Sequence, residues 1–141
     1  MLLNVSYTDK KITKKVDEAV GKPFTLKERF ALNGIGSPKL FITDANIEIQ
    51  NLLILDNNLN TCNIEMRPKG IIVRFRSLLE TYGLIIPYYK LTVYKGDFAV
   101  YSIYKDNYFI KVKSDTKAIQ KYFRKFLDYK ADNAPTSIED L

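Results

Sequence analysis

The 141-residue chain predicts an α+β fold, a bent antiparallel sheet closed by a C-terminal amphipathic helix and preceded by a short helical extension. Three observations carry this prediction. Short apolar runs separated by Asn, Gly and Pro turns recur from Leu40 to Lys113, as expected of consecutive antiparallel strands. Ten Tyr and eight Phe concentrate beyond Phe75, where residue alternation is also clearest, which favours a sheet-rich core. After Ser114 the period changes, and Ile119, Tyr122, Phe123, Phe126 and Leu127 share one helical stripe. With 46% hydrophobic residues the chain can bury one sizeable core. It divides into an extension over 1–38, a core domain over 39–130 and an acidic tail over 131–141.

Asp9 is placed to cap the first helix, in which Ile12, Val16, Ala19 and Val20 share a face and Gly21 and Pro23 are stop signals. Lys10, Lys11, Lys14 and Lys15 cluster there, but Asp17 and Glu18 follow at once, so a solvated face explains them. Between Phe24 and Leu32, Thr25 and Glu28 have capping-box spacing while Phe24, Leu26, Phe30 and Leu32 also fit a strand; the capping box favours the helix. Asn33 to Pro38 reads as a loop bounding the core, and its Gly34-x-Gly36 pair lacks the third glycine of a dinucleotide fingerprint.

Strands are expected over Leu40 to Thr43, Ile47 to Gln50 and Leu52 to Leu55, broken at Asp44-Ala45-Asn46 and Asp56-Asn57-Asn58. Cys62 to Met66 is the next, turned by Pro68-Lys69-Gly70 into Ile71 to Arg76. Leu84-Ile85-Ile86 reads as a strand buried on both faces, ended by Pro87, with extended structure resuming from Tyr88 to Tyr94. After a turn at Lys95-Gly96-Asp97, Phe98 to Tyr104 and Tyr108 to Lys113 form a hairpin. Ser114 or Asp115 caps the final helix, which carries Lys117, Lys121, Arg124 and Lys125 opposite its apolar stripe.

The net charge of +6 is unevenly spread: residues 1–66 carry eight basic and eight acidic side chains, whereas 67–130 carry fourteen against five. Such a surplus favours anionic partners, although a solvated basic surface has the same composition. Within Ile64 to Leu91, Ile72, Arg74 and Arg76 fall on one side of a strand and Ile71, Val73 and Phe75 on the other, a basic face behind an apolar one. Arg67, Lys69, Arg74 and Arg76 can gather phosphate oxygens if the hairpin brings them together; equally, alternating Arg residues decorate a solvated sheet face. Tyr88 and Tyr89 fall on opposite faces, so at most one joins the core if the strand is half exposed, and an exposed Tyr beside Lys90 can stack on a base or a peptide group. The candidate binding residues are therefore Arg67, Lys69, Arg74, Arg76, Tyr89 and Lys90.

The chain has no His, which removes the commonest general base, and no G-x-S-x-G, Walker A or H-E-x-x-H spacing. A lone Cys62 reads as a small core hydrophobe, and the carboxylates of Asp44, Asp56, Glu65 and Glu80 suit turns and strand edges. A noncatalytic protein is expected, with no cofactor and no metal. The N-terminus lacks the apolar core of a signal peptide and no run approaches about 18 apolar residues, so a cytoplasmic protein is expected.

The runs Leu40-Phe41-Ile42-Thr43-Asp44, Gly70-Ile71-Ile72-Val73-Arg74-Phe75 and Ile86-Pro87-Tyr88-Tyr89-Lys90-Leu91, closed by the helix from Ser114 to Tyr129, resemble the pleckstrin-homology-like superfold in its bacterial and GRAM-type members. The resemblance spans roughly residues 39 to 130 and implies a barrel or strongly bent sheet plugged by the terminal helix. Members share the fold while binding phosphoinositides, peptides or nothing known; the phosphoinositide binders carry a Lys-x-Arg pattern at the first hairpin, whereas the turn over Leu55 to Thr61 here has no base. The reading is a binding or assembly module that acts through protein partners or self-association, at a sheet edge or a basic and aromatic face. The alternatives are peripheral attachment to anionic lipid at the inner membrane surface, and single-stranded nucleic acid binding through basic residues interleaved with Tyr.

Overall fold

A computed structural model describes residues 1–55, 60–96 and 99–133. The expected turn at Asp56-Asn57-Asn58, Asp97 of the following turn, Phe98 and the tail beyond Asn133 lie outside the described residues. Among the described residues eight strands form one antiparallel sheet: β1 (Leu2–Asn4), β2 (Leu40–Ala45), β3 (Thr61–Arg67), β4 (Gly70–Ser77), β5 (Glu80–Pro87), β6 (Thr92–Gly96), β7 (Val100–Lys105) and β8 (Tyr108–Lys113). Their spatial order is β1-β5-β4-β3-β2-β8-β7-β6.

The joint is β2. Leu40 and Phe41 pair with β3, whereas Ile42 to Ala45 pair with β8, with a register shift between Ile42 and Asp44. A shift of this kind bends a strand and turns one half of a sheet across the other. Where β2 leaves β3, the loop takes over: Met66 N–H donates to Ile35 O and Ser37 N–H to Ile64 O. The sheet is not closed into a barrel; β1 and β6 remain as its two edges.

Helix α4 (Lys117–Asp132) fills the concave side of this bend. Ile119, Tyr122, Phe123 and Phe126 are buried, with the Phe123 ring stacked on Tyr101 of β7 at 4.0 Å and the Tyr122 hydroxyl donating to Ile35 O and Ile64 O. Its N-cap is Thr116 rather than Ser114 or Asp115, because the Thr116 hydroxyl is the one that reaches the Ile119 N–H. Of the outward bases, Lys125 turns back to donate to Asn33 O and Gly34 O.

Helix α1 (Lys10–Val20), capped by Asp9, lies on the opposite side of the sheet, where Val16 and Val20 pack on Ile72 and Ile85. The side of β4 carrying Ile72, Arg74 and Arg76 is therefore partly covered. Helix α2 (Leu26–Ala31) has the capping box of Thr25 and Glu28, and before it Phe24 packs edge-on against Tyr129 of α4.

Two strand expectations are corrected. The runs Ile47 to Gln50 and Leu52 to Leu55 form a single helix, α3 (Ile47–Ile54). Apolar residues at nearly every position satisfy either period. Because β2 already pairs with β3 and β8, no edge is left there for further strands, and Ile49 and Leu53, one helical turn apart, enter the core instead. Residues 88–94 are not continuously extended: Tyr88–Lys90 make one 3-10 turn before β6, with Leu91 N–H donating to Tyr88 O. That turn buries Tyr88, whose hydroxyl donates to Arg67 O, and leaves Tyr89 75% exposed. The strand expected at Leu84 to Ile86 extends over all of β5.

The turn from β3 to β4 is clamped under α1. Lys69 N–H donates to Val20 O, and a Cβ added at Gly70 would lie 2.3 Å from Ile86 O and 2.6 Å from Val20 Cγ1. Backbone cannot rotate away as a side chain can. Gly70→Ala is expected to cost about 3 kcal/mol, the upper end of overpacking costs, in a denaturant titration. Gly36→Ala, where nothing lies within 4 Å, should change stability by less than about 0.5 kcal/mol; equal effects at the two sites would refute the clamp.

Candidate functional site

Of the six residues expected to bind, the fold joins Arg67 and Arg74 through Glu65 and sets Lys90 over the Tyr89 ring at 5.8 Å. Arg67, the last residue of β3, is carried under α1 with a side chain only 8% exposed. Its Nη1 donates to Asp17 Oδ1 at 3.2 Å and to Gly21 O at 2.8 Å, and its Nε donates to Glu65. Arg74 stands diagonally across the β3–β4 ladder and donates from Nη1 to the other oxygen of Glu65 at 2.7 Å. The Glu65 carboxylate thus sits between two guanidiniums. Burial alone would raise its pKa, but the hydrogen bonds and charges of Arg67 and Arg74 outweigh this and hold it below the usual carboxylate range.

This network of two acids and two bases is neutral in sum. Arg67 is closed in by its partners and serves as a strut between α1 and the sheet. Arg74, 32% exposed, lines a cleft of about 240 Å³ between α1 and the strands. The other expected residues lie apart from this network. Lys69 is exposed in the β3–β4 turn, and Arg76 is exposed two residues beyond Arg74. Lys90, with Tyr89 before it, is at the far side of the 3-10 turn, where Nζ lies 3.8 Å from Asp106 of the β7–β8 turn.

A second surface follows from β6. This strand ends the sheet, so alternate residues aim their N–H and C=O groups at no neighbouring strand among the described residues. Side chains alternate across β6: Val93, opposite Ile103, packs toward the core, while Tyr94 faces outward and is 61% exposed. On that outward face Tyr94 meets Tyr104 of β7 edge-on at 5.6 Å, Tyr104 meets Phe109 of β8 at 5.8 Å, and Lys111 Nζ lies 5.8 Å from the Phe109 centroid. An aromatic stripe thus crosses three strands and ends at the open edge, with Lys111 beside its Phe109 end.

Sequence reading passed over Glu65 and Asp17 as the partners that neutralise Arg67, and over Tyr94, Tyr104 and Phe109 as one surface. The Tyr94 and Tyr104 signal was present as alternation in neighbouring strands, but the register that sets the rings side by side belongs to the ladder. Cys62 is buried, and burial pushes its thiol up to about 12, which leaves it a packing residue rather than a nucleophile. Among the described residues no helix is long and apolar enough to cross a membrane. No protein-family model, curated protein or solved structure matches this chain.

Proposed function

We propose that the chain is a noncatalytic binding module that engages a protein partner at the β6 edge and the aromatic stripe beside it. One observation carries the reading: the stripe of Tyr94, Tyr104 and Phe109 runs out to a strand edge whose main-chain groups are unpaired within the sheet. A row of backbone donors and acceptors is matched by another backbone, whereas lipid headgroups and phosphodiesters have no such ladder. Aromatic side chains beside that edge supply the rigid contact area typical of binding hot spots. Lys95 on the edge disfavours pairing with the same strand of a second copy, since like charges would meet, and favours an extended segment bearing acids. The bent sheet with α4 in its concavity supports the pleckstrin-homology-like reading of the architecture, and residues 1–38 are then an addition to that core.

A photo-crosslinking residue at position 94 of the full chain should trap one discrete polypeptide in lysate of the source cell, and the same residue at position 121 on α4 should not. The trapped partner, once purified, should bind Tyr94→Ser at least about tenfold more weakly, while the thermal midpoint of the variant stays within a few degrees. Equal trapping from both positions would overturn the proposal. So would an unchanged affinity, or binding only to anionic vesicles or single-stranded DNA.

A further inference from the structure

The β4–β5 connection is a two-residue turn, since Ser77 pairs with Glu80 and leaves Leu78 and Leu79 at its tip. Turns this tight favour Asn, Asp and Gly, because a positive φ is costly for a bulky side chain. Leu78 nevertheless takes a φ of 57°, and Leu79 beside it is 88% exposed. Backbone preference and water both disfavour leucine here. The Ser77 hydroxyl donates to Leu52 O, which ties the last turn of α3 to the foot of the hairpin, and beyond that bond Ile54 and Leu55 are exposed as well. Four aliphatic side chains therefore stand at one end of the sheet.

Bases lie behind them. Arg76, two residues before Leu78, is exposed. Thr81 N–H donates to Ser6 Oγ at 2.7 Å, and from Ser6 the chain passes through the exposed Tyr7 into α1. The last residue of α1, Val20, lies over Gly70 at the opposite end of β4, so its first turn, with Lys10 and Lys11 exposed, is at the tip end. The acids here are engaged: Asp9 accepts from Lys11 N–H and Glu80 accepts from Asn4.

We propose that this end of the molecule seats on an anionic bilayer, with Leu78, Leu79, Ile54 and Leu55 at the headgroup–acyl boundary and Arg76, Lys10 and Lys11 among the headgroups. Apolar area and basic charge add in binding to such a surface. A hairpin tip is convex, and a fluid surface accepts it without a preformed pocket. Protein hot spots are rich in Trp, Tyr and Arg and poor in Leu, whereas this tip is aliphatic throughout. A second copy seated tip to tip would bring the same bases of both chains together, which like-charge repulsion opposes. Tyr7, exposed at the level of the bases, suits the interfacial belt where a ring and a hydroxyl are both accommodated.

The test is sedimentation of the full chain at low salt with vesicles of phosphatidylcholine alone or with about one-quarter phosphatidylglycerol. Binding is expected only with phosphatidylglycerol, and should weaken as salt is raised. Leu79→Glu should lower the partition coefficient at least about tenfold while the thermal midpoint stays within a few degrees, since an exposed side chain is replaced. Arg76→Gln should lower it by about fivefold, the share of one base at an anionic surface. The chain has no Trp, so Leu79→Trp reports on the tip alone, and acyl-brominated lipid should quench it. No sedimentation, equal binding to both vesicles, binding unaffected by Leu79→Glu, or an unquenched Trp would overturn the proposal. So would self-association that Leu79→Glu abolishes, which would give the tip to a second copy. The tip is separated from β6 by β3, β2, β8 and β7, so failure here leaves the partner proposal standing, and failure at Tyr94 leaves this one.

Discussion

Phe123→Ala or Phe126→Ala is expected to cost about 3–5 kcal/mol in a denaturant titration, whereas Lys121→Ala, on the exposed face of the same helix, should cost less than about 0.5 kcal/mol. Both Phe side chains are fully buried, with ring centroids 5.1 Å apart, and Phe123 also stacks on Tyr101. Their removal leaves a cavity in the main core, where α4 packs against strands of both halves of the sheet. Against a net stability of ~5–15 kcal/mol for a domain, either loss is a large fraction. Truncation before α4 should then abolish cooperative melting, since the inward faces of β3, β7 and β8 would be left to water. Cooperative unfolding of a chain ending at Ser114 near the full-length midpoint would show that α4 is a docked accessory instead.

Arg67→Ala is expected to be nearly as damaging, at about 3–5 kcal/mol, because it strips a buried cation from two carboxylates rather than removing a pair together. Asp17 and Glu65 would keep their charges, with Arg74 alone left beside them, and Gly21 O would lose a donor. The effect should depend on pH. The Glu65 carboxyl is held below the ordinary Glu value near 4.3. Its contribution is therefore complete above that value and is lost as pH falls through the depressed folded value. The stability gap between wild type and Arg67→Ala should narrow as pH is lowered from about 5 toward 3, since protonation relieves the stranded acids of the variant while it removes the ion pairs of the wild type. A gap below about 1 kcal/mol, or one that stays constant with pH, would mean that Arg67 acts only through its packing.

Elements whose burial pattern follows a single period were legible from sequence. The stripe of α4, the capping residues of α1 and α2 and the alternation in β3, β4, β7 and β8 all record local geometry, because a side chain's direction repeats with the period of its own helix or strand. Ile47 to Leu55 was not legible, since a run apolar at nearly every position fits either period, and only the occupied edges of β2 decide between them. The 3-10 turn at Tyr88–Lys90 was hidden for a similar reason: Pro87 marks an interruption without saying which way the chain turns next.

By itself the sequence determined the α+β class, the closing helix and the basic surplus of residues 67–130. Only the tertiary structure decided what that surplus does. It buried Arg67 against Asp17, fifty residues away, set Arg74 against Glu65, and carried Lys90 to Asp106 on another turn. It also wove Leu2–Asn4 into the sheet beside β5 and lined up Tyr94, Tyr104 and Phe109 across three strands. The physical reason is that charge pairing and strand register are set by contacts between residues distant in the chain, and one-dimensional spacing carries no record of which distant partner each side chain meets.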